Sequence, residues 1–265
     1  MIGILGGMGP LATLDFFNKV LAGTPAGGDA DHVPLLIQSD PRIPSRPAAI
    51  LGDGPSPLPE LMAGRDRLVA AGSSALAMPC NTAHFWFSDL SAGCPVPFIS
   101  IVDACVAELA SLVSAGGSVG LIATRATLAG RVFDAALLKA GYTLVVPDDD
   151  AMDQWVLPGI ALVKAGKTLQ AAVLIENAVQ ALLRKGADAV VLACTETPVA
   201  LDAVASPLRA RCVDSTAALA RACVAWWLAN RDKQAMHRAC PSSPPPPSQS
   251  PPAPGAPHPD MRVTR

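Results

Sequence analysis

The sequence predicts an α/β protein of two pseudo-symmetric halves, each a mostly parallel sheet flanked by helices. Two observations predict it: short apolar runs alternate with alanine-rich helical stretches over most of the chain, and three features of the first half recur in order in the second. Residues 2–5, 33–38, 74–78, 119–122, 143–146 and 189–193 read as buried strands, being short runs rich in Val, Ile and Leu. Helical patterns fall at 11–22, 58–71, 101–114, 128–140, 168–185 and 215–230. Gly72, Gly141 and Gly186 stand where a helix C-cap wants glycine, and Thr168 and Ser215 where an N-cap wants a hydroxyl. Alternation of this kind implies parallel sheets covered on both faces.

The internal repeat supplies the symmetry. Ile2-Gly3-Ile4-Leu5-Gly6 resembles Val119-Gly120-Leu121-Ile122-Ala123, an offset of 117 (2 to 119). Leu76-Ala77-Met78-Pro79-Cys80-Asn81-Thr82 resembles Val190-Val191-Leu192-Ala193-Cys194-Thr195, an offset of 114 (80 to 194). Ile101-Val102-Asp103-Ala104 resembles Cys212-Val213-Asp214-Ser215, an offset of 111 (103 to 214). Three matches with nearly constant offset indicate a duplicated unit whose halves each present a strand-end cysteine.

Composition narrows the function classes. At 265 residues and 51% hydrophobic the chain can bury a sizeable core, while 16% charged residues and a net charge of −2 leave no basic field for nucleic acid or an anionic membrane. The apolar stretches, 189–194 and 223–229 among the longest, fall well short of the roughly 18 residues of a membrane helix, and no signal peptide precedes the first strand. A cytoplasmic protein is expected. Seven cysteines, an odd number in mixed surroundings, argue for reduced thiols. From Pro241 the chain holds ten prolines in 25 residues with few apolar anchors, so 241–265 is expected to be a disordered tail.

In parallel α/β sheets ligands gather at the carboxyl ends of strands. Cys80 and Cys194 both fall there, followed by Asn81-Thr82 and Thr195, and then by helix-compatible stretches. A helix N-terminus would lower a thiol pKa from about 8.5 and attract a carboxylate. Two thiols on opposite faces of one carbon suit proton removal on one side and return on the other. Cys94, Cys105, Cys212, Cys223 and Cys240 read instead as small hydrophobes. Glu196 could orient or deprotonate Cys194, and His84 would lie one turn from Cys80 if a helix began at Asn81; either could equally cap a helix or face solvent. The Gly6-Gly7-Met8-Gly9 turn lacks the G-x-G-x-x-G spacing of a dinucleotide site, and brings backbone to a small ligand with Met8 as an apolar wall and Thr13 as a polar contact. The cysteines and scattered histidines lack metal-ligand spacing, so neither metal nor cofactor is expected.

These residues, with Gly6-Gly7-Met8-Gly9-Pro10-Leu11-Ala12-Thr13, Ile43-Pro44-Ser45-Arg46, Pro79-Cys80-Asn81-Thr82-Ala83-His84, Gly120-Leu121-Ile122-Ala123-Thr124 and Ala193-Cys194-Thr195-Glu196, resemble the aspartate/glutamate racemase family, and within it the aspartate racemase branch. The resemblance runs from Met1 to about Asn230. It implies a two-domain protein, 1–98 plus 210–230 and 99–209, usually a homodimer, with substrate in the interdomain cleft and no pyridoxal phosphate. It implies Cys80 and Cys194 as the two bases, Cys80 for the D- and Cys194 for the L-enantiomer by analogy with glutamate racemases. It further implies Asn81, Thr82 and Thr195 on the α-carboxylate or amino group, Thr124 and Thr127 as second-domain contacts, and Arg46 and Lys164 on a side-chain carboxylate. Ser45-Arg46-Pro47 departs from the commoner Asp-Arg-Thr around this arginine.

The expected activity is therefore interconversion of L- and D-aspartate. Sister activities on the same scaffold are glutamate or broad amino-acid racemisation, hydantoin racemisation and malonate decarboxylation, the last needing only one proton donor. Outside that class stand an amino-acid sensor that kept its cleft and a thiol redox protein pairing Cys80 with Cys194.

Overall fold

The computed structural model describes the backbone of residues 1–239 and the side chains of residues 1–231. The proline-rich stretch expected to be disordered lies outside the described residues. Met1–Ala229 form one compact unit.

The first half runs β1 (Ile2–Gly6), α1 (Pro10–Gly23), β2 (Leu35–Ser39), α2 (Arg46–Leu51), α3 (Leu58–Ala70), β3 (Ala75–Ala77), α4 (Phe87–Ser91), β4 (Phe98–Ile99), α5 (Ile101–Leu109). The second runs β5 (Ser118–Ile122), α6 (Arg125–Ala129), α7 (Asp134–Lys139), β6 (Thr143–Val145), α8 (Asp149–Ala151), a π-helical turn Met152–Val156, α9 (Leu157–Lys164), α10 (Thr168–Arg184), β7 (Ala189–Leu192), α11 (Thr197–Asp202), β8 (Cys212–Asp214), α12 (Ser215–Ala239). Each half builds a four-stranded sheet, in the orders β2-β1-β3-β4 and β6-β5-β7-β8, with every pairing parallel. The two topologies are the same, as a duplicated unit requires.

Strand alternation divides the apolar residues between two environments. Ile2, Ile4, Ala75 and Ala77 of the first sheet share one core with Val119, Leu121, Ala189 and Val191 of the second, joined by Phe16 of α1, Phe133 before α7 and Leu219 of α12. The opposite faces bury Leu5, Leu76 and Met78 in one half and Ile122, Val190 and Leu192 in the other. Each of these side chains larger than alanine contributes roughly 1.5–3 kcal/mol when taken from water, so the common core fastens the halves together.

The structure corrects several expectations. Leu76 pairs with Phe98 and Val190 with Cys212, so the repeat keeps its 114-residue offset through the fourth strand, where the sequence match proposed 111. Ser100, not Asp103, is the counterpart of Asp214. Both act as caps, Ser100 Oγ accepting from the Asp103 amide and Asp214 Oδ1 from the amides of Thr216 and Ala217. β8 therefore completes the second sheet, although its segment is expected in the first domain. The single helix expected at 128–140 breaks because Arg131 takes a left-handed conformation (φ 52) between α6 and α7. Thr168 is the first helical residue of α10, whose cap position is Lys167. Gly72, Gly141 and Gly186 do adopt the positive φ a C-cap glycine supplies.

Candidate active site

Four loops leave the carboxyl ends of the two inner strands of each sheet, and they build most of the site, with α2 and the end of α9 adding Arg46, Pro47 and Lys164. After β1, Gly7 has φ 93, and a Cβ there would lie 2.3 Å from the Asp40 amide nitrogen, so only glycine lets this turn rest on the chain leaving β2. Thr13 holds the turn from α1, accepting from the Gly7 amide (2.9 Å) and donating to the Gly9 carbonyl (3.0 Å). Its hydroxyl is thus engaged in the loop rather than offered to a ligand, contrary to expectation. Met8 is carried into the cleft wall.

Beyond β3, Cys80 precedes a 3-10 turn, Thr82–Trp86, in place of the helix expected from Asn81. His84 Nε2 accepts from the Ile101 amide (3.1 Å), so the ring proton sits on Nδ1 and is donated to the Cys80 carbonyl (2.8 Å). Burial lowers this imidazole to about pKa 4, despite the opposing hydrogen bond to Cys80. His84 therefore anchors the loop as a neutral side chain and is not among the cleft residues.

Beyond β5, Thr124 caps α6, and its hydroxyl forms a triangle with those of Thr82 and Thr127 (2.8 to 3.3 Å) that ties the two halves. Thr82 and Thr124 line the cleft, whereas Thr127 is fully buried behind them. Beyond β7 come Cys194, Thr195 and Glu196. Cys194 Sγ donates to Glu196 Oε2 (3.0 Å), which also accepts from Thr195 Oγ1 (3.2 Å). Lys164, ending α9, brings Nζ to 3.9 Å from Glu196 Oε1.

Both cysteines line one cleft with Met8, Arg46, Asn81, Thr82, Thr124, Lys164, Thr195 and Glu196. Pro47 and Ala193, which the sequence did not single out as site residues, complete the wall. The cavity these residues enclose is about 40 Å³. Arg46 is the first residue of α2, whose N-cap Ser45 accepts from the Ala48 amide, the service an aspartate would perform there. Its Nη1 donates to the Ile43 and Pro44 carbonyls, leaving Nε buried without a partner. Asn81 Oδ1 is likewise buried and unpartnered.

Burial raises the Cys80 thiol pKa, and Arg46 partly offsets this by its charge and a hydrogen bond. Burial, together with the Glu196 carboxylate, raises Cys194 well above the usual thiol range. The sequence expected helix termini to lower both. Neither the short 3-10 turn after Cys80 nor the six-residue α11 after Cys194 outweighs the loss of water around a buried thiolate. Among the described residues no group of three His, Cys, Asp or Glu side chains could hold a metal ion, and no helix is long and apolar enough to cross a membrane.

Residues 5–223 match the family model for Asp/Glu/Hydantoin racemase. The aspartate racemase of Picrophilus torridus shares 33% identity and a TM-score of 0.73, over 85% of this chain and 93% of that one. A broad specificity amino-acid racemase of Bacillus subtilis (strain 168) is 28% identical over 86% of this chain and 99% of its own length. The glutamate racemase of Francisella tularensis shares the fold (TM-score 0.63, 16% identity, 87% of this chain and 81% of that one). With its paired sheets and two strand-end cysteines on one cleft, this chain belongs to the Asp/Glu/hydantoin racemase family.

Proposed function

We propose that this protein interconverts L- and D-aspartate without a cofactor, Cys80 and Cys194 acting as the two bases. The observation that carries the proposal is their placement at equivalent strand ends on a single cleft, with opposite charges beside them. One thiol, as thiolate, takes the α-hydrogen: the C–H bond breaks, an S–H bond forms, and the electron pair moves toward the α-carboxylate. The other thiol gives its proton to the opposite face, so the two sulfurs exchange protonation states in each turnover. Asn81 Oδ1 is a free acceptor for the α-ammonium, the Thr82 and Thr124 hydroxyls suit the α-carboxylate, and Thr195 joins them only by turning its proton away from Glu196. Arg46 and Lys164 pair with the side-chain carboxylate, where partial burial strengthens a charged hydrogen bond. A homodimer and a cytoplasmic location belong to the same proposal.

Incubation with L-aspartate in deuterated water is expected to yield D-aspartate deuterated at Cα with no added cofactor. Failure of exchange with every amino acid tried would overturn the racemase proposal. A second reading, broad specificity, is favoured by Lys164, whose side chain is 59% exposed and already shares Glu196. Chiral chromatography of a panel of amino acids separates the two: aspartate alone for the first, neutral amino acids as well for the second.

A further inference from the structure

The two ends of the buried Asn81 amide are treated differently. Its Nδ2 donates to Ser215 Oγ (2.9 Å), while its Oδ1 has no partner. Ser215 is fully buried and opens α12; its hydroxyl donates to the Leu192 carbonyl at 2.8 Å. A hydroxyl has one proton, and a carbonyl can only accept. With that proton committed to Leu192, Ser215 offers Asn81 lone pairs alone. The amide nitrogen must therefore face Ser215, and the oxygen is left for the cleft that Asn81 lines. Reversing the amide would set Oδ1 against those lone pairs or strip Leu192 of its donor.

We propose that Ser215 is a positioning residue that locks the Asn81 amide, so that the cleft presents Oδ1 to the substrate's α-ammonium and prefers amino acids over their deamino analogues. The inference rests on the amino-acid reading above. The same link joins the halves. Asn81 follows Cys80, and Leu192 lies two residues before Cys194, so one bridge through Ser215 ties the two cysteine-bearing strand ends. Nothing in the sequence singled out Ser215 for this; it stood there only as a helix cap.

The test is calorimetric binding of L-aspartate and of succinate, which has the carboxylates without the ammonium, to wild type, Ser215→Ala and Ser215→Cys, with glutamate and glutarate as a second pair. Both variants are expected to bind the amino acid about tenfold more weakly, the scale of one hydrogen bond to a charged group, and the deamino analogue within about twofold of wild type. The cysteine variant keeps the side-chain size but is a poor acceptor, and decides the matter if the alanine variant does not fold. Equal weakening of amino acid and analogue, or no change in either, would overturn the role of Ser215. Wild type that binds aspartate without exchanging its α-hydrogen would overturn the racemase reading while leaving the ratio to decide Ser215.

Discussion

The loops after β3 and β7 occupy matching positions in two sheets of one topology, yet they surround their cysteines with opposite charges. Cys80 has Arg46 beside it, whereas the Cys194 thiol donates to Glu196. Burial acts alike on both. The neighbours decide how far each is pushed: Arg46 draws Cys80 back toward the thiolate against a smaller push from Glu196, and Glu196 holds Cys194 as the thiol against a smaller pull from Lys164. Even the carbonyls of the two cysteines are held differently, Cys80 by the His84 ring and Cys194 by Thr197 Oγ1 (2.8 Å) and its amide. Duplication sets the placement of a pair, and divergence of the flanking side chains makes its members unequal. In a two-base racemisation one group holds a proton while the other lacks it, and the two exchange those states in each turnover, so unequal neighbours bias which thiol starts as the thiolate.

The largest effect is expected from the cysteines themselves. Cys80→Ser and Cys194→Ser should each lower racemisation by about a thousandfold, within the span of general acid-base contributions. α-Hydrogen exchange followed by mass spectrometry should fall more from D-aspartate in the first variant and more from L-aspartate in the second. Identical losses from both enantiomers in both variants would erase the distinction between the two faces.

Smaller, and opposite in sign, are the effects of the charged neighbours on the pH dependence of kcat/KM. The rate rises as the attacking thiol loses its proton. Arg46→Met removes a cation that lowers the Cys80 pKa, so the rising limb should move to higher pH, with kcat/KM down about tenfold or more from the lost carboxylate contact. Glu196→Gln removes an anion that raises the Cys194 pKa, so the limb should move to lower pH. Shifts in the same direction would break the contrast between the halves.

The smallest effect on chemistry and the clearest on stability is expected at His84, which has Pro198 as its counterpart four residues past Cys194. The folded imidazole titrates near 4, below its ordinary 6.5, so the unfolded chain binds a proton that the native state refuses between those values. Stability contributed by the neutral ring is complete above about pH 6.5 and is lost as pH falls toward 4, by on the order of 3 kcal/mol. His84→Asn should flatten that slope in urea midpoints measured from pH 4 to 7. A slope as steep as wild type would place the titrating group elsewhere.

Of the eight strands among the described residues, six were legible because each is a compact apolar run bounded by turns. β4, two residues long, is too short for periodicity, β8 sets a single Val213 between a cysteine and an aspartate and so shows no apolar run, and the helix α2 hides in a proline-rich stretch that reads as a loop. Of the candidate site residues, Met8, Cys80, Asn81, Thr82, Thr124, Cys194, Thr195 and Glu196 meet at one cleft because strand ends gather loops on one edge of a parallel sheet, while Arg46 of α2 and Lys164 at the end of α9, which only the family resemblance pointed to, join them there. Thr127 and His84 were found too but stand behind it, since sequence spacing does not say which way a side chain turns after an irregular loop.

By itself, then, the sequence determined the α/β class, the duplication and the two cysteines, because apolar periodicity and local strand-end position are written in neighbouring residues. Only the tertiary structure decided what each cysteine meets, which proton His84 carries and how Ser215 turns the Asn81 amide. Those depend on contacts between residues 17 to 134 positions apart, such as His84 with Ile101 and Asn81 with Ser215, and on burial that raises both thiols where local helix geometry suggested the reverse.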